Sequence, residues 1–359
     1  MGIADIFRDR HEEYFKRHNA PPEVVRAVHD IMKCRTPEMS GHGIVAVCPD
    51  CGHYEFHYPS CGNRNCPKCG HHKVTEWLAK RQQEMLPVNY FMATFTLPHE
   101  YNSLFRKAPA KMVNFLFGAV SESLKEFGLS KLHGAIGFMM VYQSWCRNGD
   151  FHPHVHCLIP GGALSKNEEY WLWPAKREFL FSEKPLSRLF RGKFNALIKY
   201  LPEAQAIPKS IWFKEYVVDV KCVGDSTSSF KYLAAYTQRG FIGNDRIENY
   251  DGENVTFRYT DSQTKTIKRR TVTALEFMEL YLQHVMPKGF QRIRYGGFWG
   301  AAARKKLILA QQILKTTLPA AELREMEQFD CSVEYRCPRC CTMMELRHSR
   351  APPHMEIRK

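Results

Sequence analysis

Ten of the thirteen cysteines crowd into two short windows, and this crowding constrains the fold more than any periodicity in the chain. Six lie between Cys34 and Cys69 and four between Cys331 and Cys341, leaving Cys146, Cys157 and Cys222 between the windows. Cys48-Pro-Asp-Cys51 and Cys66-Pro-Lys-Cys69 are CxxC knuckles separated by 14 residues. Four thiolates at this spacing can close a tetrahedral site, and zinc suits soft sulfur donors without redox chemistry. The N-terminus, Met1-Gly2-Ile3-Ala4-Asp5, lacks a basic-then-apolar leader, so reduced thiols and metal are expected rather than disulfides. Residues 34–73 therefore read as a zinc-binding domain with Cys48, Cys51, Cys66 and Cys69 as ligands. Cys34, His42 and Cys61 are left over and offer a second site. Cys337-Pro-Arg-Cys340 offers a C-terminal knuckle, with Cys331, Cys341 or His348 as partners. These modules can staple the chain, dock nucleic acid, or do both; Arg64 and Lys68 lend them positive charge.

Charge narrows the partner. Lys and Arg number 51 against 37 Asp and Glu, a net charge of +14 and a pI near 9.2, which points to a polyanion. Hydrophobic content of 44% with 25% charged residues excludes a wholly disordered chain. No apolar run reaches the roughly 18 to 20 residues of a membrane span. From Asp261 to Lys306, ten basic residues face three acids, with Phe290, Tyr295, Phe298 and Trp299 interleaved. Cations tracking phosphates and rings stacking on bases are the components of single-strand binding. Lys268, Arg269, Arg270, Lys288, Arg292 and Arg294 are the candidates.

The sharpest local pattern is Phe151-His-Pro-His-Val-His-Cys-Leu-Ile-Pro160. His154 and His156 stand two apart on an expected strand, so their side chains leave one face. The preceding strand, 136–145, is separated from it by Arg147-Asn148-Gly149-Asp150, and Asn-Gly is a strong hairpin signal. A two-residue turn puts Arg147 opposite Asp150, Trp145 opposite His152, Gln143 opposite His154 and Val141 opposite His156. Gln143, His154 and His156 then converge on one divalent cation.

Elsewhere the pattern predicts helices over 1–33 (broken at Pro21-Pro22), 75–86, 108–127 (closed by Gly128), 226–239, 274–285 and 301–314. Residues 164–205 read as mainly helical. Strands are expected at 90–97, 211–220, 255–259 and 264–272, and the last dozen residues as a loose tail. Tyr232 and Tyr236, at i and i+4 on the 226–239 helix, share a face. Lys231 and Arg239 make their setting basic.

Taken together, Cys34-Arg-Thr, Gly41-His42, the Cys48–Cys69 module, Phe95-Thr-Leu-Pro-His99, His152-Pro-His-Val-His156, Pro160-Gly-Gly162, Tyr232-Leu-Ala-Ala-Tyr236 and Pro287-Lys-Gly-Phe-Gln-Arg-Ile-Arg294 make the chain resemble the IS91 family of two-tyrosine HUH transposases over nearly its whole length. It departs from relatives at Asn65, where a His often precedes the second knuckle, and at Cys341, where a Gly usually follows the C-terminal CxxC. The resemblance implies an α+β fold whose HUH nuclease domain is an antiparallel sheet flanked by helices. The histidine strand would be central, with the tyrosine helix over it. It implies rolling-circle cleavage and rejoining of single-stranded DNA, both transposon ends and target, with Mg²⁺ or Mn²⁺ and through 5′-phosphotyrosine. The implied setting is the cytoplasm of a bacterium, with no membrane partner.

The expected division is 1–33 helical, 34–73 zinc-binding, 74–88 a connecting helix, 89–245 the nuclease, 246–330 basic and DNA-binding, and 331–359 a knuckle and tail. A plasmid replication initiator or relaxase shares the chemistry but lacks this zinc module. A DNA-binding regulator derived from a transposase would not need both histidines and both tyrosines. No Walker A sequence is present, so strand opening would fall to a host helicase.

Overall fold

The computed structural model describes residues 1–69, 77–78, 80–226, 228–229, 240–261, 264–318 and 335–349. Pro21-Pro22 splits the first apolar stretch into α1 (Ile3–Arg17) and α2 (Pro22–Lys33), Pro22 occupying the first helical turn where its missing N–H costs nothing. A short hairpin follows, β1 (Gly43–Val47) and β2 (Tyr54–His57), then β3 (Tyr90–Thr96). After α3 (Asn102–Lys107), α4 runs from Pro109 to Lys131, passing through Gly128 rather than stopping there. That glycine serves close approach: a Cβ on it would stand 2.9 Å from the Ile136 side chain.

Strands β4 (Gly134–Ala135), β5 (Gly137–Trp145), β6 (Phe151–Pro160), β7 (Ala163–Ser165) and β8 (Trp171–Leu172) come next. The stretch expected to be helical from 164 therefore begins as strand. Its aromatic Trp171-Leu-Trp173 run has no helical apolar stripe, and the helix, α5, spans only Glu183–Ile198. The expected 211–220 strand starts late: α6 (Lys209–Phe213) precedes β9 (Val217–Gly224). Then come β10 (Ile247–Tyr250), β11 (Asn254–Thr260), β12 (Ile267–Thr273), α7 (Ala274–Leu282), β13 (Ile293–Gly297), α8 (Arg304–Thr317) and β14 (Glu345–Ser349). A capping box, Thr273 with Glu276, turns β12 into α7.

The fold is α+β. Its main sheet has the order β13-β5-β6-β3-β9, every pair antiparallel, with the histidine strand β6 in the centre. The odd positions Val155, Cys157 and Ile159 face α4 and α5, joining Phe117, Val120, Leu124, Phe190 and Phe194 in the largest core. On the other face, Leu158 packs with Met92, Met139, Phe298, Trp299 and α8 residues Leu307, Ala310 and Leu314. This helical and aromatic cover occupies the Pro160 end of β6. The other end of that face holds His154 and His156.

The linear division into domains does not describe the packing. The expected basic region supplies β13 to the main sheet, and β14 from the expected tail pairs with β1. The sheet β10-β11-β12 and α7 pack on α1 and α2 through Phe7, Val28, Ile31, Phe257, Phe277 and Tyr281. Phe298 and Trp299, expected to stack on bases, are instead buried in core; Trp299 lies parallel to the Tyr90 ring at 6.1 Å.

Candidate active site and metal centres

The hairpin brings Gln143 opposite His154 and Val141 opposite His156, as expected, but by a different route. Cys146, not Arg147, pairs with Asp150: its N–H donates to the Asp150 carbonyl at 3.1 Å, and Gly149 N–H donates to the Cys146 carbonyl at 3.0 Å. The loop is thus Arg147-Asn148-Gly149, with Gly149 at φ +95° and its missing side chain making room for Phe241. Trp145 consequently faces Phe151 rather than His152. A bulge between Gln143 and Trp145 sets the His152-Pro153 pair against Ser144 and restores the register. Proline cannot donate to a ladder, so the bulge falls where the chain carries one.

His154 and His156 are buried, with their Nε2 atoms 3.1 Å apart, and Gln143 Oε1 lies 3.1 Å from His156 Nε2. Each ring is held from behind. His154 Nδ1 donates to the His152 carbonyl at 2.7 Å, and His156 Nδ1 meets Thr94 Oγ1 at 3.1 Å across the β3–β6 pair. Burial pushes His154 down to about 4, and burial with the neighbouring His154 pushes His156 well below the usual imidazole range. Both rings are therefore neutral at pH 7. Two imidazole nitrogens and an amide oxygen, converging with no charge of their own, suit one divalent cation and leave its charge uncompensated. Arg292 is the cation beside them: its Nε donates to the Tyr142 carbonyl at 3.0 Å and its guanidinium lies 4.6 Å from the Trp145 ring centre. Burial lowers it to about 10, which still leaves it charged.

Thr94 was not singled out in the sequence. Its signal was its place on the strand paired with β6, two residues before Thr96, which faces His154. Tyr232 and Tyr236, with Lys231 and Arg239, lie outside the described residues. On their N-terminal side, Asp225 acts as a cap, its Oδ1 accepting from Ser228 N–H at 2.9 Å.

The other candidate DNA-binding cations are partly engaged. Arg270 clamps the hairpin tip, donating to Asp150 at 2.8 Å and to the Asn148 carbonyl at 3.0 Å. Lys268 pairs with Asp261 and Arg269 with Glu248. Arg294 donates to Asn114 and lies over Phe117. Arg64 donates to the Phe290 carbonyl, and Lys288 is exposed.

The thiols do not form the expected group. Cys66 and Cys69 gather with Cys34 and Cys61, whereas Cys48 and Cys51 gather with Cys337 and Cys340; within each group all sulfurs lie within 4.8 Å. The Cys34–Cys69, Cys61–Cys69, Cys48–Cys340 and Cys51–Cys337 separations are 3.3, 3.5, 3.3 and 3.5 Å. A tetrahedron with Zn–S bonds of about 2.3 Å has edges of about 3.8 Å. The expected single group of Cys48, Cys51, Cys66 and Cys69 is therefore corrected to two separate sulfur groups. The reason is packing: Cys34 and Cys66 are buried against α1, α2 and α7, while Cys48 and Cys337 share a separate small cluster. His42, Cys341 and His348 belong to neither group. Cys331 lies outside the described residues. Asn65 costs no ligand; its amide bonds Asn63 and its carbonyl accepts from Tyr281. Hydrogen bonds from Cys61 and Cys66 hold the Cys69 thiolate far below the usual thiol range.

Two family models match the chain, "Transposase zinc-binding domain" over residues 6–97 and "Putative transposase" over residues 137–306. "Putative transposase y4qJ" of Sinorhizobium fredii is 32% identical over 342 residues, covering 89% of this chain and 85% of its own length. The chain belongs to the IS91 family of transposases. A further relative, "Transposase for insertion sequence element IS801" of Pseudomonas savastanoi pv. phaseolicola, is 23% identical over 293 residues, covering 76% of this transposase and 70% of its own length. No solved structure matches the chain. The antiparallel sheets flanked by helices are consistent with an HUH-type transposase fold, the N-terminal cysteines bind structural zinc, and the partner of the transposase is DNA. No helix among the described residues is long and apolar enough to cross a membrane.

Proposed function

We propose that this transposase cuts and rejoins single-stranded DNA as a rolling-circle enzyme, through 5′-phosphotyrosine intermediates on Tyr232 and Tyr236, with Mg²⁺ or Mn²⁺ held by Gln143, His154 and His156. The observation that carries this reading is the convergence of His154 Nε2, His156 Nε2 and Gln143 Oε1 at 3.1 Å spacings on the central strands. The divalent cation, when bound, polarises the scissile phosphate and offsets its charge.

The chain's own residues do the rest. His152 and Thr94 fix the two imidazoles, so no reorganisation is needed on DNA binding. A tyrosine hydroxyl loses its proton and its oxygen bonds phosphorus; the P–O3′ bond breaks, and the departing 3′ oxygen takes up a proton. The ester conserves the bond, so attack by a new 3′-OH rejoins DNA without ATP. Two tyrosines let two ends be held in succession. Residues flanking the tyrosine run support its reach. Gly224, just before Asp225, pairs with Tyr90 at the Pro160 end of the sheet, whereas Phe241 packs at Gly149 beside the histidine end. Arg292, Arg64 and Lys288 would meet DNA phosphates. The setting is the bacterial cytoplasm, with a host helicase opening the duplex.

The test is incubation with single-stranded oligonucleotides carrying the element's ends. A covalent protein–DNA band that requires Mg²⁺ or Mn²⁺ is expected, and Tyr232→Phe with Tyr236→Phe should remove it while DNA binding persists. An adduct that survives the double substitution refutes the assignment.

A further inference from the structure

The cysteine group that joins the two ends of the chain has the architecture of a complete metal site, and half of it lies beyond the residues matched as zinc-binding. Its two halves stand 286 to 292 residues apart in sequence. They nevertheless share one backbone form. In the first knuckle, Cys48 N–H donates to the His53 carbonyl at 2.8 Å and Gly52 N–H to the Cys48 carbonyl at 3.1 Å; in the second, Cys337 N–H donates to Thr342 at 2.8 Å and Cys341 N–H to Cys337 at 2.8 Å. Gly52 and Cys341 occupy the same left-handed turn position, at φ +69° and +61°.

Further contacts tie the halves together. β14 lies antiparallel on β1 from Gly43↔Ser349 to Val47↔Glu345, completing the sheet β14-β1-β2. Thr342 Oγ1 donates to Asp50 Oδ2 at 2.6 Å from one knuckle to the other. Arg339 N–H points at Cys337 Sγ from 3.4 Å, a donor that favours thiolate over thiol. Apolar packing alone cannot hold this arrangement. Its buried core is Ala46, Met344 and two of the cysteines themselves. A sheet so poorly supplied with core needs a staple.

We propose that Cys48, Cys51, Cys337 and Cys340 bind a zinc ion of their own, forming a two-knuckle ribbon that fastens the C-terminal segment to the N-terminal module. Cys34, Cys61, Cys66 and Cys69 hold a separate ion. The ligand set of the ribbon is complete only when residues 335–349 are docked, so metal binding and closure of the chain are one event.

Metal analysis of the full-length protein should find two zinc ions per chain, falling to one in Cys337→Ser/Cys340→Ser. One zinc in the wild type, iron in place of zinc, or an unchanged or fully lost content in the variant overturns the proposal. A second measurement needs no variant. Cys51, Cys340 and Cys341 are all exposed, yet only Cys341 is outside the group. In the zinc-loaded protein, iodoacetamide should label Cys341 at least tenfold faster than Cys51 and Cys340, and chelation should release both together. Equal labelling before chelation also overturns it.

Discussion

The histidine centre and the ribbon, each proposed above to hold a metal, are assembled from opposite starting points. Gln143 and His156 are 13 residues apart on neighbouring central strands, backed by the main core, with each ring oriented by a second hydrogen bond. The ribbon's sulfurs sit on turns, two of them exposed, with a minimal apolar cluster behind. Four thiols at these separations cannot all ionise without a cation between them. On the proposed assignments, the sheet would recruit its metal, whereas the ribbon would be recruited by its metal. Rigidity at the histidine centre and metal dependence at the ribbon are separable expectations, and they can be tested separately.

The largest effect should come from stripping zinc. Apparent binding energies at such sites are on the order of 10 kcal/mol, so chelation should unfold the ribbon. Hydrogen exchange should show β14 and β1 amides losing protection while β5 and β6 keep theirs. Simultaneous loss in both regions would mean that the contrast is false.

The converse substitution works on the other centre. His154→Ala or His156→Ala should lower cleavage by about a thousandfold, on the order of 4 kcal/mol of lost metal and phosphate stabilisation, with zinc content unchanged. Gln143→Ala should cost about ten- to a hundredfold in Mn²⁺ affinity, since water replaces a neutral amide oxygen. Calorimetric titration with Mn²⁺ separates these from a folding defect.

The difference between the regions also explains what could be read in advance. Strand alternation and a hairpin are local, so Gln143, His154 and His156 could be brought together from spacing alone. Even so, the two-residue turn was wrong by one residue, and the bulge at His152-Pro153 cancelled the error. Pro153 was visible in the sequence and, lacking an N–H, was the available warning. The thiols were different. Spacing says that a CxxC pair binds metal, but it cannot say which other pair completes the site when several lie at plausible distances. That choice was made by burial of Cys66 against the N-terminal helices and by pairing of β14 with β1. Phe298 and Trp299 misled for a similar reason: neighbouring basic residues suggested a surface, whereas the sheet face needed aromatic cover.

A smaller effect tests the rigidity of the hairpin itself. His284 is buried beneath it, accepting from Ser144 Oγ at Nδ1 and donating from Nε2 to the Gly149 carbonyl, both at 3.1 Å. Burial pushes its pKa down to about 4, with Arg106 and Arg292 adding to the decrease and the Gly149 carbonyl and Asp150 opposing it. The unfolded chain binds this proton near pH 6.5 and the folded chain only near 4. Stability from this group is therefore intact above pH 6.5 and falls as pH drops toward 4, by about 3 kcal/mol in all. Urea titrations of His284→Gln should show a shallower loss over that window than the wild type; parallel curves would show that the histidine is not the titrating group.

The smallest effect lies in the ribbon. Cys341 holds φ +61°, the left-handed conformation that Gly52 adopts in the facing knuckle. A Cβ is disfavoured there, and glycine relieves about 1 kcal/mol of strain while raising the entropy of the unfolded chain. Because Cys341 donates only its backbone N–H to Cys337 and lies outside the sulfur group, replacing its side chain removes no ligand. Cys341→Gly should retain full zinc content and slow zinc release to a chelator by a few-fold. A drop to one zinc per chain would instead make Cys341 a ligand, and the ribbon would have to be redrawn around it.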